Sequence, residues 1–296
     1  MPSGIITKGI GGFYYVASGD DIYECRARGI FRKDEIVPLV GDNVIFAVTD
    51  HEKKKGSIDQ ISERSSLLTR PAVANVNQLI AVIAARSPDP DLLLLDKLLV
   101  TAEKTGIGAA VCINKTDLDK TGEKDIYRDI YRKAGYTVLE TSSKENTGFE
   151  ELMAVLKGHV TVFAGQSGVG KSTIMNRLMN TTVMKTGGLS GRIGRGKHTT
   201  RHAELIRLEY GGYIADTPGF SSFELMNINY MELQYLFPEF GNDPEACRFT
   251  GCSHISEPGC KVKQAVQAGN ISQSRYDHYI ELYNALKLED SRKYKK

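Results

Sequence analysis

Three short segments of this chain follow one another in an unusual order. Asn114-Lys115-Thr116-Asp117 comes first, Gly165-Gln166-Ser167-Gly168-Val169-Gly170-Lys171-Ser172 second, and Asp216-Thr217-Pro218-Gly219 last. The middle segment fits Gly-x4-Gly-Lys-Ser, a loop whose glycines let backbone N–H groups close on phosphates and whose following helix offers its positive end. Lys171 places a point charge on the β and γ oxygens, and Ser172, with Thr173 beside it, supplies a hydroxyl for Mg²⁺. In the first segment Asp117 can accept two hydrogen bonds from guanine, Lys115 can lay its stem over the base, and Asn114 and Thr116 brace the loop. In the last, Asp216 can hold Mg²⁺ through water and the Gly219 N–H can meet a γ-phosphate. An ordinary GTPase presents phosphate loop, switches and base reader in that order. Here the reader leads, so the order predicts a circularly permuted GTPase domain.

Bulk properties bound the remainder. The 296 residues exceed one typical domain. Apolar residues make up 41%, charged residues 25%, and the formal charge is +2, so contact with nucleic acid must come from local basic patches. Residues 1–8 lack the pattern of a secretory leader, and no apolar run nears the about 20 residues of a membrane helix. The longest candidate, 92–100, is interrupted by Asp96 and Lys97. A cytoplasmic monomer with no membrane partner is expected. The five cysteines are an odd number without a leader, which argues against a disulfide framework.

Periodicity divides the chain in three. Residues 1–66 carry short strands at 5–8, 11–16, 22–27, 44–48 and 57–61, separated by Gly, Asp and Lys clusters. That pattern suggests an OB-fold β-barrel, a fold that often binds RNA or single strands. Residues 67–222 alternate strand and helix. Strands are expected at 79–85, 109–113, 137–139, 161–164, 204–209 and 213–215, and helices at 88–104, 123–134, 149–156 and 171–179. This is a doubly wound, mostly parallel α/β sheet, which places ligands at the carboxyl ends of its strands. In residues 223–296 strands cease and helices are expected at 225–236, 261–268 and 272–288.

Other residues add chemistry. Thr141, Ser142 and Ser143 follow a strand, where their backbone N–H groups are placed for the guanine O6. Residues 177–202 contain no acid but six cations, Arg177, Lys185, Arg192, Arg195, Lys197 and Arg201. An acid-free stretch beside a phosphate site favours contact with RNA phosphates. Thr199 or Thr200 is the candidate Mg²⁺ ligand there, and His198 the candidate to position the attacking water. Cys247-x4-Cys252-x-His254-x5-Cys260 offers three thiolates and one imidazole, a closed tetrahedral set suited to one structural Zn²⁺. Cys25 and Cys112 read as small core residues, and His51, His159, His202 and His278 as structural or surface residues.

The barrel, the early base reader, the basic segment with Lys197-His198-Thr199-Thr200, Asp216-Thr217-Pro218-Gly219 and the Cys/His cluster together resemble the ribosome small-subunit-dependent GTPase A family. The resemblance spans essentially the whole chain. It implies an N-terminal OB fold, a circularly permuted GTPase domain and a C-terminal zinc domain. It also implies binding to the 30S ribosomal subunit and its 16S rRNA, GTP hydrolysis to GDP stimulated by that subunit, and a late role in its maturation. The family assigns water positioning to the histidine matching His198 and magnesium to a threonine matching Thr199 or Thr200. Two other functions fit parts of the pattern. One is a nucleotide-gated rRNA-binding module with incidental hydrolysis. The other is a small-molecule kinase, against which the guanine reader and the Cys/His cluster argue.

Overall fold

The computed structural model describes residues 1–29, 31, 36–69, 72–186, 203–216, 228–241 and 247–293. The chain divides into two compact units, each gathered from separated segments. The first takes residues 1–79, 149–163 and 172–220, and the second 80–148, 164–171 and 221–296.

The first unit begins with five strands: β1 (Ser3–Ile10), β2 (Phe13–Ser18), β3 (Asp21–Ala27), β4 (Asn43–Asp50) and β5 (Lys55–Ile61). They pair in the order β1-β2-β3-β5-β4, and β4 returns to β1. β3 and β5 run parallel while the other pairs are antiparallel. That closed order is an OB-type barrel, which leaves no open edge among the five. Alternation fills it: Ile6, Val16, Cys25, Phe46 and Ile58 are all fully buried. After a short hairpin of β6 (Leu67–Thr69) and β7 (Ala72–Ala74) comes β8 (Gln78–Ala84), buried at every position and therefore a strand covered on both faces.

β1 also extends the first unit beyond the barrel, pairing with β12 (Glu204–Arg207) at Lys8↔Glu204. β12 lies antiparallel to β13 (Tyr213–Asp216), and β13 lies parallel to β11 (Val160–Ala164). The Thr161 hydroxyl donates to Gln78 Oε1 (2.7 Å), and Gln78 Nε2 donates to Val155 O (3.0 Å), so no polar atom of that buried side chain is stranded. The helix α3 (Phe149–Leu156) and most of α4 (Lys171–Thr186) belong here too.

In the second unit β9 (Gly108–Asn114) and β10 (Thr137–Glu140) run parallel, with β8 on the far side of β9. The helix α1 (Leu92–Thr105) starts where Asp91 caps it, accepting from the Leu94 N–H at 2.8 Å. α2 (Glu123–Lys133) carries Glu123 and Asp125 in its first turn and Arg132 and Lys133 in its last, as the helix dipole favours. The C-terminal part adds α5 (Lys261–Gln267) and α6 (Gln273–Lys293) around Leu233, Phe237, Val262, Tyr279 and Leu282, with Val100 of α1 in the same core.

The second of these helices is tied to α1 by buried charge. Arg275 donates to Asp96 (2.7 Å) and, through two nitrogens, to Glu239 (2.6 and 2.9 Å). Tyr131 Oη donates to Asp96 at 3.0 Å, and His278 Nδ1 lies 2.6 Å from its other oxygen. Burial opposes the guanidinium charge, but Asp96 and Glu239 outweigh it and raise the Arg275 pKa further. Asp96 thus interrupts the apolar run of α1 because it is the counter-ion of α6. His278, read from the sequence without a partner, has one.

The expected helix at 225–236 is corrected among the described residues to a single 3-10 turn, Leu233–Leu236. Pro238 forces Phe237 into extended backbone (φ −114, ψ 93), which stops the turn. Residues 225–227 lie outside the described residues. No helix among the described residues is long and apolar enough to cross a membrane.

Candidate nucleotide site and metal centre

Asn114 ends β9 almost fully buried, at 1% exposure. Its Nδ2 donates to Val169 O (2.9 Å) and its Oδ1 accepts from the Thr141 hydroxyl (3.1 Å). One amide therefore fastens the base reader, the phosphate loop and the β10 exit together. Gly170 makes room for it: with φ +99, a Cβ at that position would lie 2.3 Å from Asn114 Nδ2. Gly165 is constrained likewise, since its Cβ would sit 2.0 Å from Val82 O. Both glycines serve close backbone approach as much as the turn itself.

Lys115 adopts φ +59, unusual for a non-glycine residue, and its Nζ donates to Ser87 O. Thr116 donates from N–H and hydroxyl to Thr141 O, both at 3.2 Å. Asp117 lies in the 3-10 turn Thr116–Leu118, where the Ser142 hydroxyl donates to its Oδ1 at 2.6 Å. A charge-assisted bond of that length fixes the carboxylate plane. The amides of Thr141 and Ser142 are already engaged, donating to Ile113 O (2.8 Å) and Thr147 O (3.2 Å). Their side chains brace Asn114 and Asp117 from behind, a role the sequence does not announce. Beneath them, burial pushes the Cys112 thiol up to about 11, which keeps it a neutral core group.

In the loop, Val169 is fully buried while Ser167 and Gly168 are exposed, and Gln166 is half-buried. Lys171 Nζ donates to Gly165 O (2.6 Å) and Gln166 O (2.9 Å), and burial lowers its pKa. The ammonium is thus held over the loop by weak neutral acceptors, which anionic oxygens outcompete. Ser172 and Thr173 stand exposed in the first turn of α4. Asp216 closes β13, one position past Ala215, which is level with Val162 of β11. β11 feeds the phosphate loop, so both strands end at the same edge. His198, Thr199, Thr200 and Gly219 lie outside the described residues.

The four C-terminal ligand candidates converge. One ligand atom from each of Cys247, Cys252, His254 and Cys260 lies within 4.8 Å of the others. The Cys247 and Cys260 sulfurs are 4.0 Å apart. Tetrahedral zinc with Zn–S bonds of about 2.3 Å sets sulfurs roughly 3.8 Å apart, so the donors fit that ion in number, type and spacing. Burial first, then the neighbouring Cys260 and Cys247, push the Cys252 thiol up to about 12. Burial lowers the His254 pKa and keeps its imidazole neutral, the ligand form. Glu257 organises the loop, accepting from the Ser253 N–H (2.8 Å) and hydroxyl (2.6 Å) and from the Ile255 and Ser256 N–H groups (3.1 Å each). Tyr276 and Tyr279 pin the carbonyls of His254 and Ser253 at 2.6 and 2.7 Å.

Comparison with known proteins agrees with this geometry. The model described as RsgA N-terminal domain matches residues 3–58, and that described as RsgA GTPase matches residues 61–226. A protein of Ruminiclostridium cellulolyticum named small ribosomal subunit biogenesis GTPase RsgA is 56% identical over 289 residues, covering 97% of this chain and 94% of that one. A protein of the same name from Alkaliphilus metalliredigens is 48% identical over 97% of this chain and 98% of its own length. The crystal structure of YloQ, described as a circularly permuted GTPase, superposes with a TM-score of 0.82 at 41% identity, covering 98% and 96% of the two chains. YjeQ from Thermotoga maritima gives a TM-score of 0.82 at 34% identity, covering 96% and 98%. With the reader, the loop and the Cys/His cluster in place, the chain belongs to the RsgA GTPase family and is a circularly permuted GTP hydrolase.

Proposed function

We propose that this GTPase binds the 30S ribosomal subunit through 16S rRNA and acts late in the subunit's maturation, with hydrolysis stimulated by the subunit and coupled to release. The observation that carries the reading is Asn114, whose one buried amide holds a guanine reader against a phosphate loop. It occurs in a chain 56% identical to a protein named for small-subunit biogenesis. GTP is held by Asn114, Lys115, Thr116, Asp117 and the 141–143 turn at the base, and by residues 165–173 and Gly219 at the phosphates. Ser172, Asp216 and Thr199 or Thr200 would hold Mg²⁺, which would neutralise phosphate charge when bound. Water attacks the γ-phosphorus, the bond to the β-bridging oxygen breaks, and GDP and phosphate leave. His198 positions that water. Cys247, Cys252, His254 and Cys260 hold one structural zinc in residues 223–296, and the barrel in residues 1–66 contacts rRNA. The protein is read as a cytoplasmic monomer.

Single-turnover hydrolysis of GTP with and without purified 30S subunits tests the reading. A large acceleration by 30S, lost in a His198→Ala variant that still binds GTP, is expected. Equal rates with and without subunits would overturn it.

A further inference from the structure

The Cys/His cluster uses one nitrogen of its imidazole and turns the other away. His254 Nδ1 lies 3.3 Å from Cys260 Sγ and 3.7 Å from Cys247 Sγ. Nε2 faces the opposite way and lies 2.8 Å from Gln234 Oε1. The orientation of the Gln234 amide is set at its other end, where Nε2 donates to Met231 O at 3.1 Å. The atom presented to His254 is therefore the carbonyl oxygen, which only accepts. The imidazole must then carry its hydrogen on Nε2, which leaves the Nδ1 lone pair aimed among the thiols.

The surroundings hold this arrangement. Gln234 lies in the 3-10 turn Leu233–Leu236, whose two leucines are buried in the C-terminal core. The Phe240 ring packs edge-on against the imidazole with centroids 5.7 Å apart. Outer partners of metal-bound imidazoles fix the tautomer, orient the ring and raise ligand basicity.

We infer that Gln234 is a positioning residue of the metal centre, selecting the Nε2–H tautomer so that His254 binds the metal through Nδ1. The inference rests on the zinc reading above. It also makes the turn after residue 227 part of the metal centre, although no ligand lies there.

Zinc affinity of the full-length chain, measured by chelator competition, tests it with two variants. Gln234→Leu removes the acceptor and is expected to weaken zinc binding by about 10–100-fold. Gln234→Glu keeps an acceptor oxygen and is expected to restore affinity close to that of the unmodified protein. In the ¹⁵N imidazole spectrum of the unmodified zinc-loaded protein, the protonated nitrogen of His254 is expected to be Nε2. Unchanged zinc affinity in Gln234→Leu, or a hydrogen found on Nδ1, would overturn the inference while leaving zinc in place. Unmodified protein without one equivalent of zinc by elemental analysis would overturn the zinc reading and this inference with it. GTP affinity reports the fold; if Gln234→Leu loses that as well, the imidazole spectrum decides alone.

Discussion

Ser142 shows how a side chain behind the base reader can set its geometry. Its hydroxyl holds Asp117 Oδ1 at 2.6 Å, so the carboxylate proposed to read guanine has its plane fixed before the base arrives. Removing a hydrogen bond to a charged group costs about 1.5–3 kcal/mol. Ser142→Ala, which also loses the Glu145 N–H contact at 3.0 Å, is therefore expected to lower the melting temperature and, by freeing the Asp117 carboxylate, to weaken GTP binding. Calorimetric titration with GTP beside thermal unfolding checks both halves. Asp117 and Lys171 were legible in the sequence because their chemistry is carried by contiguous patterns. The contact from Ser142 was not, because it joins the ends of two neighbouring strands and exists only once β9 and β10 are in register. The same holds for Gln234 and His254, which meet across the C-terminal core without any spacing that marks them.

At the scale of elements, the sequence revealed what local periodicity and capping decide. α1 begins at its Asp91 cap, and the five barrel strands follow their alternating pattern. It failed where a distant charge or a single proline decides. Asp96 reads as a break in an apolar run but serves as the buried partner of Arg275, 179 positions away. The turn Leu233–Leu236 reads as helix until Pro238 is weighed. Breaking a buried ion pair by removing one partner costs about 3–5 kcal/mol, because the remaining charge is stranded. Arg275→Met, which takes the guanidinium from both Glu239 and Asp96 while Tyr131 and His278 stay on Asp96, is expected to destabilise the C-terminal part by about that amount in urea unfolding. Replacing all three residues with apolar ones is expected to recover most of the loss.

The metal loop adds a pH dependence at the same scale. With burial raising the Cys260 thiol and pushing that of Cys252 up to about 12, zinc must displace protons from both. Raising the pH lowers that cost and lowering it adds to it. Zinc affinity is expected to rise between pH 6 and 8, by up to about a hundredfold per pH unit as Cys252 and Cys260 release their protons. A chelator competition series across that range measures the slope; a flat profile would contradict thiolate ligation.

On the scale of the whole molecule, the order of the motifs determines what the nucleotide can reach. Asp216, one of the magnesium candidates, ends β13, and the chain re-enters the described structure at Ile228, already buried in the C-terminal core. Permutation therefore gives the end of β13, where the γ-phosphate is proposed to sit, a short covalent route to the C-terminal part of the chain. That order was legible at once. The gathering of each compact unit from several separated segments was not, because it depends on packing between stretches that carry no shared local signal. Sucrose-gradient sedimentation with ribosomal particles tests most directly whether the nucleotide governs subunit binding. With a non-hydrolysable GTP analogue the protein is expected to travel with 30S subunits, and with GDP to remain near the top of the gradient. The same distribution with both nucleotides would contradict a GTP-controlled cycle on the subunit.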